Sequence, residues 1–155
     1  MRRILPSLYA LLLLAACGSD SPTDRSNPAV AGTMTARIDG TAWSATQSLG
    51  GSRSGQQVSF TGLGPGNVAI GLAIGGVTGP GTYTIGGLNP TTAVISYPNG
   101  IGYGVLPNQG GGAVVITSLT SAAVAGTFTF TAVLISGTGA PATRTVAEGA
   151  FNVRF

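Results

Sequence analysis

GTMTARIDGTAWSAT, residues 32–46, reads as a β-hairpin. Asp39-Gly40 is the pair that a two-residue type I′ turn demands, because both positions need positive φ. With that turn Ile38 faces Thr41, Ala36 faces Trp43, and Met34 faces Ala45. Cross-strand partners share a face. Met34, Ala36, Ile38 and Trp43 therefore fall together, while Thr33, Thr35, Arg37, Ser44 and Thr46 fall opposite. The register separates apolar from polar, so pattern and turn chemistry agree.

The same signal recurs downstream. Strand-like runs follow at QQVSFTGL (56–63), NVAIGLAIG (67–75), GTYTI (81–85), TAVISYP (92–98), GAVVITSLT (112–120), VAGTFTFTAVLI (124–135) and TRTVAEGAFNVRF (143–155). They are broken by the glycine- and proline-rich GLGPGN, GGVTGPG, GGLNP and PNQGGG. Phe128, Phe130 and Ala132 alternate with Thr127, Thr129 and Thr131; Phe151, Val153 and Phe155 alternate with Ala150, Asn152 and Arg154. Such alternation marks strands with one wet face. Short strands with turns between them predict an all-β fold, an antiparallel β-sandwich of about eight to nine strands, with a closed or partly open β-barrel as the alternative. No helix is expected beyond the N-terminal segment. Non-local pairing predicts slow folding.

The N-terminus carries different information. Arg2 and Arg3 precede an apolar run from Ile4 to Leu14, and small Ala15 and Ala16 precede Cys17, the only cysteine. Basic, apolar and small-residue regions in that order make a secretory signal, too short to span as a helix. GSDSPTDRSNP, residues 18–28, then reads as a tether. The expected organisation is a signal peptide over 1–16, an anchor and tether over 17–30, and one β domain over 31–155.

Leu14-Ala15-Ala16-Cys17 resembles the lipobox of bacterial lipoproteins. That resemblance implies a diacylglycerol on the Cys17 thiol and a chain that begins at Cys17 after cleavage. It also accounts for an unpaired cysteine in an oxidising compartment. Stable anchoring takes two or more acyl chains. Gly18 behind the cysteine, by the sorting rule of such lipoproteins, implies the outer membrane rather than the inner. Over residues 31–155 the motifs ARIDGTAWSA, GTYTIGG, GAVVITSLT, GTFTFTA and AEGAFNVRF resemble a group of uncharacterised exported bacterial lipoproteins built around a domain of unknown function. The resemblance implies a lipid-anchored antiparallel β domain and brings no activity or functional residues.

Composition narrows the chemistry. The chain has 26 glycines and 7% charged residues, against about 25% charged in ordinary soluble domains. With Arg2 and Arg3 removed, five arginines face four acids, so no basic patch argues for nucleic acid. There is no His and no Lys. His-based triads, Lys Schiff bases, the Walker lysine and His/Cys zinc sites are therefore excluded, and no cofactor or metal is expected. GLGPGN places Asn67 where a nucleotide fingerprint needs its third glycine. Asp39 and Glu148 are the only carboxylates of the β domain. Asp39 is explained by its turn and Glu148 by a solvated face, which leaves a two-carboxylate hydrolase as the least favoured reading.

The function expected is therefore non-enzymatic: a lipid-anchored envelope protein that binds or supports an envelope protein or a glycan. A small outer-membrane-spanning barrel is the alternative. SYPNGIGYGVLPNQGGG, residues 96–112, is the least regular stretch, and Tyr97, Asn99, Tyr103 and Asn108 are its candidate binding residues.

Overall fold

A computed structural model describes residues 32–155. The signal and tether assigned to 1–30, with Cys17, lie outside the described residues. Eleven strands run in chain order: β1 (Gly32–Ile38), β2 (Thr41–Ser44), β3 (Ser48–Ser54), β4 (Gln57–Leu63), β5 (Ala69–Ile74), β6 (Gly81–Ile85), β7 (Thr92–Ser96), β8 (Gly102–Gly104), β9 (Gly111–Leu119), β10 (Ala123–Ser136) and β11 (Thr143–Arg154). A single 3-10 turn, Pro65–Asn67, joins β4 to β5.

The hairpin has the register expected from its turn. Asp39 (φ 49°) and Gly40 (φ 82°) both take positive φ. Ile38 pairs with Thr41, Ala36 with Trp43, and the Ala45 N–H donates to the Met34 carbonyl at 2.9 Å. Inward alternation holds as well. Phe128, Phe130, Ala132, Phe151 and Val153 are buried, while Thr127, Thr129, Ala150, Asn152 and Arg154 are exposed.

The two-sheet sandwich is not what forms. All eleven strands belong to one antiparallel sheet, in the order β2-β1-β11-β10-β8-β7-β5-β4-β3, with β9 and β6 branching from β10. The sheet curls through 256° about its axis into an open half-barrel with its edges 10 Å apart. The cause is β10. Fourteen residues long, it pairs with β11 on one side and with β9 and then β8 on the other, so there is no row at which the sheet divides in two. Close packing of neighbouring strands helps the curl: a Cβ at Gly126 would fall onto the Val115 carbonyl. Two strands escaped the sequence reading, the Ser/Gly-rich β3 and the three-residue β8, because neither carries an apolar alternation.

The curl brings inward faces into one core. Phe60 of β4 meets Phe151 of β11 with ring centroids 4.6 Å apart, and Phe128 lies 6.2 Å from Phe151. The edge strands β2 and β3 are consecutive, joined by residues 45–47 across the opening. Each edge is pinned by a side chain. The Trp43 Nε1–H donates to the Val68 carbonyl at 3.1 Å, and Arg53 Nη1 donates to the Thr120 carbonyl at 3.0 Å. The two pins tie β2 and β3 to loops across the gap.

Candidate functional site

Six charged side chains occur in residues 32–155: Arg37, Asp39, Arg53, Arg144, Glu148 and Arg154. Four of them meet around the β1–β2 hairpin, as two cross-strand ion pairs flanking Trp43.

The first pair sits at the mouth of the half-barrel. The positive φ of Asp39 swings its carboxylate toward the start of β11, where Oδ1 accepts the Thr145 N–H at 2.8 Å and Oδ2 accepts Arg144 Nη1. The Asp39 N–H returns a bond to the Thr145 carbonyl at 2.9 Å. The Arg144 guanidinium lies against two rings, 5.8 Å from the centre of Tyr97 and 5.5 Å from that of Tyr103, within cation–π range. Its Nε is buried with no hydrogen-bond partner. The rings meet edge to face at 5.9 Å, and the Tyr103 hydroxyl donates to the Pro141 carbonyl at 3.1 Å. Asp39, Tyr97 and Arg144, with Ile38, Thr41, Ala42, Trp43, Pro65 and Val68, enclose a cleft of about 330 Å³.

The second pair lies on the outer face. The β11 register slips by one residue between Ala147 and Gly149, and Glu148 sits in this bulge at φ 51°. The slip keeps both Val146 and Phe151 inward and turns Glu148 toward β1. Arg37 Nε donates to Glu148 Oε2 at 2.8 Å, and Arg37 Nη1 to the Gly40 carbonyl at 3.0 Å. A second cleft, about 350 Å³, opens here between Thr35, Arg37, Ser44 and Glu148. Both clefts share Ala42, Trp43 and Pro65, so they are two sides of one notch between the edge of β2 and the β4–β5 turn. At the lower end of the notch a Cβ on Gly64 would stand 2.5 Å from the Ser44 carbonyl oxygen and 2.5 Å from Trp43 Nε1. Only glycine permits that approach.

Electrostatics hold the inner cleft in one charge state. Burial alone would raise the Asp39 pKa, but the Thr145 N–H and the Arg144 guanidinium outweigh it and hold the carboxyl below its usual range. Arg144 is pushed up, chiefly by its bond to Asp39. Burial pushes the Tyr97 phenol up, partly offset by Arg144. At neutral pH the cleft thus presents an ionised pair and a neutral phenol. It offers donors, acceptors and apolar walls with balanced charge. Asp39 and Glu148 stand on opposite sides of the notch, each engaged by its own arginine. Among the described residues no three His, Cys, Asp or Glu side chains gather as metal ligands would.

The candidate residues of the 96–112 stretch separate. Tyr97 lines the inner cleft, and Tyr103 is fully buried beneath it. Asn99, on the β7–β8 turn, and Asn108, on the β8–β9 loop, are both exposed at opposite ends of β8 and do not join the cleft. Trp43, Arg144 and Pro65 were missed as site residues. Arg144 and Asp39 are 105 positions apart, and no local pattern links them. The one available signal was the scarcity of charge, which makes every charged residue worth placing.

No curated protein and no solved structure matches the chain. A family model described as a domain of unknown function, DUF6252, matches residues 30–153, from just before β1 into the end of β11. The resemblance seen in the strand motifs is met in that domain, while the lipobox lies ahead of the matched span. By this match, which covers most of its length and the whole half-barrel core, the chain belongs to the DUF6252 family.

Proposed function

We propose that this chain is a non-enzymatic binding protein of the bacterial cell envelope, held to a membrane by acyl chains on Cys17, with its ligand site in the notch around Trp43. One observation carries the reading. In a domain that spends almost no charge on its surface, four of six charged residues surround the lone tryptophan at two adjoining clefts. Oriented ion pairs beside apolar walls suit recognition, since they supply fixed donors and acceptors. Catalysis by a carboxylate pair is disfavoured because Asp39 and Glu148 lie on opposite sides of the notch, each bonded to its own arginine, rather than facing one substrate. An envelope protein or a glycan is the class of ligand, and the outer membrane is the proposed location.

Calorimetric titration of envelope glycans and envelope-protein peptides tests the site. Arg144→Ala, checked for intact far-UV circular dichroism, is expected to weaken any ligand of the notch about tenfold or more, as loss of a charge-assisted contact does. Unchanged affinity would place the ligand elsewhere and sink the reading. For the anchor, Cys17→Ser is expected to move the protein from the membrane to the soluble fraction and to abolish incorporation of a fatty-acid label.

The curled single sheet favours a second reading, a small outer-membrane-spanning barrel. A spanning barrel presents an apolar band to lipid. Here the outward positions of β1, β11 and the first half of β10 carry Thr33, Thr35, Arg37, Thr127, Thr129, Asn152 and Arg154, with exposed apolar side chains at Val94, Val115 and Ile135, while the interior is filled by apolar side chains. That distribution supports a domain that faces water.

A further inference from the structure

We infer that the occupant of the notch is an extended peptide segment of a partner protein, laid as a short strand beside Ala42 on the free edge of β2. This rests on the binding reading above and names its ligand class.

The argument starts from hydrogen-bond phase. Ile38 and Thr41 close a two-residue turn, and in such hairpins the closing residues exchange both backbone bonds. The Ala45 N–H bond to the Met34 carbonyl keeps the same phase down the ladder. Thr41, Trp43 and Ala45 therefore turn their peptide groups toward β1, and Ala42 turns its N–H and C=O away. Ala42 is exposed, and among the described residues β2 pairs with no strand on that side. Gly64 against the Ser44 carbonyl closes the edge below. At the middle of the notch Ala42 keeps one donor and one acceptor open among the described residues, and the Ser44 N–H below faces the same way.

The clefts fit what a strand placed there would present. Successive side chains of an extended chain point to opposite faces of a sheet, and recognition by strand addition takes affinity from the backbone and specificity from pockets for alternate side chains. The inner cleft, walled by Ile38, Trp43, Val68 and Tyr97, accepts an apolar or aromatic side chain. The outer cleft, beside the Arg37–Glu148 pair, accepts a polar uncharged one, because the pair is already neutral. A sugar would need an open aromatic face, but Trp43 is only 7% exposed and its Nε1–H is engaged. An unpaired peptide group between two clefts on opposite faces is matched by a peptide.

Trp43 is the only tryptophan, so its emission reports occupancy of either cleft. The purified full chain is titrated with end-capped hexapeptides that alternate Val, Leu, Phe or Tyr with Thr or Ser, and in parallel with chitotetraose and maltotetraose. A subset of the peptides is expected to shift Trp43 emission and to protect the Ala42 amide from hydrogen exchange. Methylating the peptide nitrogen at one position only should weaken binding about tenfold, the value of one lost hydrogen bond. Glu148→Gln should alter the preference at the outward peptide position and leave the inward one unchanged. Peptide binding that ignores N-methylation, or that leaves Ala42 unprotected, overturns the strand. If the sugars shift Trp43 and the peptides do not, the strand falls and the binding cleft stands. If neither moves Trp43, both readings fall.

Discussion

Asp39 does three jobs with one side chain and one backbone conformation. It makes the turn, accepts the Thr145 N–H, and fixes Arg144 against Tyr97 and Tyr103. Burial works against its charge, while the Thr145 N–H and Arg144 hold its folded pKa below the ordinary 3.8. A group whose folded pKa is depressed contributes stability above its unfolded pKa and loses it as pH falls through the folded value. Urea midpoints are therefore expected to be level near neutrality and to fall below about pH 4, the unfolded carboxyl value. Asp39→Asn should be less stable at pH 7 and should lose this share of the acid dependence. The difference at pH 7 is expected to stay near 1 kcal/mol or less, because the pair is partly exposed and screened. Midpoints of wild type and variant that fall in parallel below pH 4 would assign the dependence to other groups.

The bulge in β11 is the element on which the outer cleft depends. Without the extra residue, Val146 and Phe151 could not both face the core, and Glu148 would not meet Arg37. Glu148 takes a left-handed backbone that costs an L-residue about 1 kcal/mol and a β-branched one more. Glu148→Gly relieves that strain while giving up an exposed ion pair worth less than about 1 kcal/mol, so its thermal midpoint should match or exceed wild type. Glu148→Val keeps the strain, adds branching and also loses the pair, so it should be less stable by about 1–2 kcal/mol. Equal midpoints for the two variants would mean that the bulge relaxes easily and does not hold the cleft.

Across the domain, the first strand pairs with the last, and the long β10 couples β11 to both branches of the sheet. Such non-local closure predicts refolding on the order of milliseconds to seconds, set by topology. Stopped-flow recovery of Trp43 emission measures it, and microsecond recovery would contradict a barrel assembled from distant strands. The outward threonines predict that residues 31–155 remain monomeric and β-structured in water without detergent. Folding only in micelles would turn attention to the spanning barrel.

The hairpin, its register, the inward faces of β10 and β11 and the solvated position of Glu148 were legible in the sequence. They depend on turn chemistry and on alternation between neighbours a few residues apart, which the chain carries locally. Strand β3 was not legible, because SLGGSRS has no apolar period and is held as a strand by β4. Whether the strands divide into two sheets or curl as one depended on β10 pairing with β8 and β9 end to end, a long-range choice that alternation does not encode. The site followed the same line. Tyr97 was visible in an irregular loop, but the cleft took shape only when Asp39 met Arg144, and Arg37 met Glu148, across more than a hundred residues. Local backbone preference places side chains on a face; the closing of distant strands sets which faces meet.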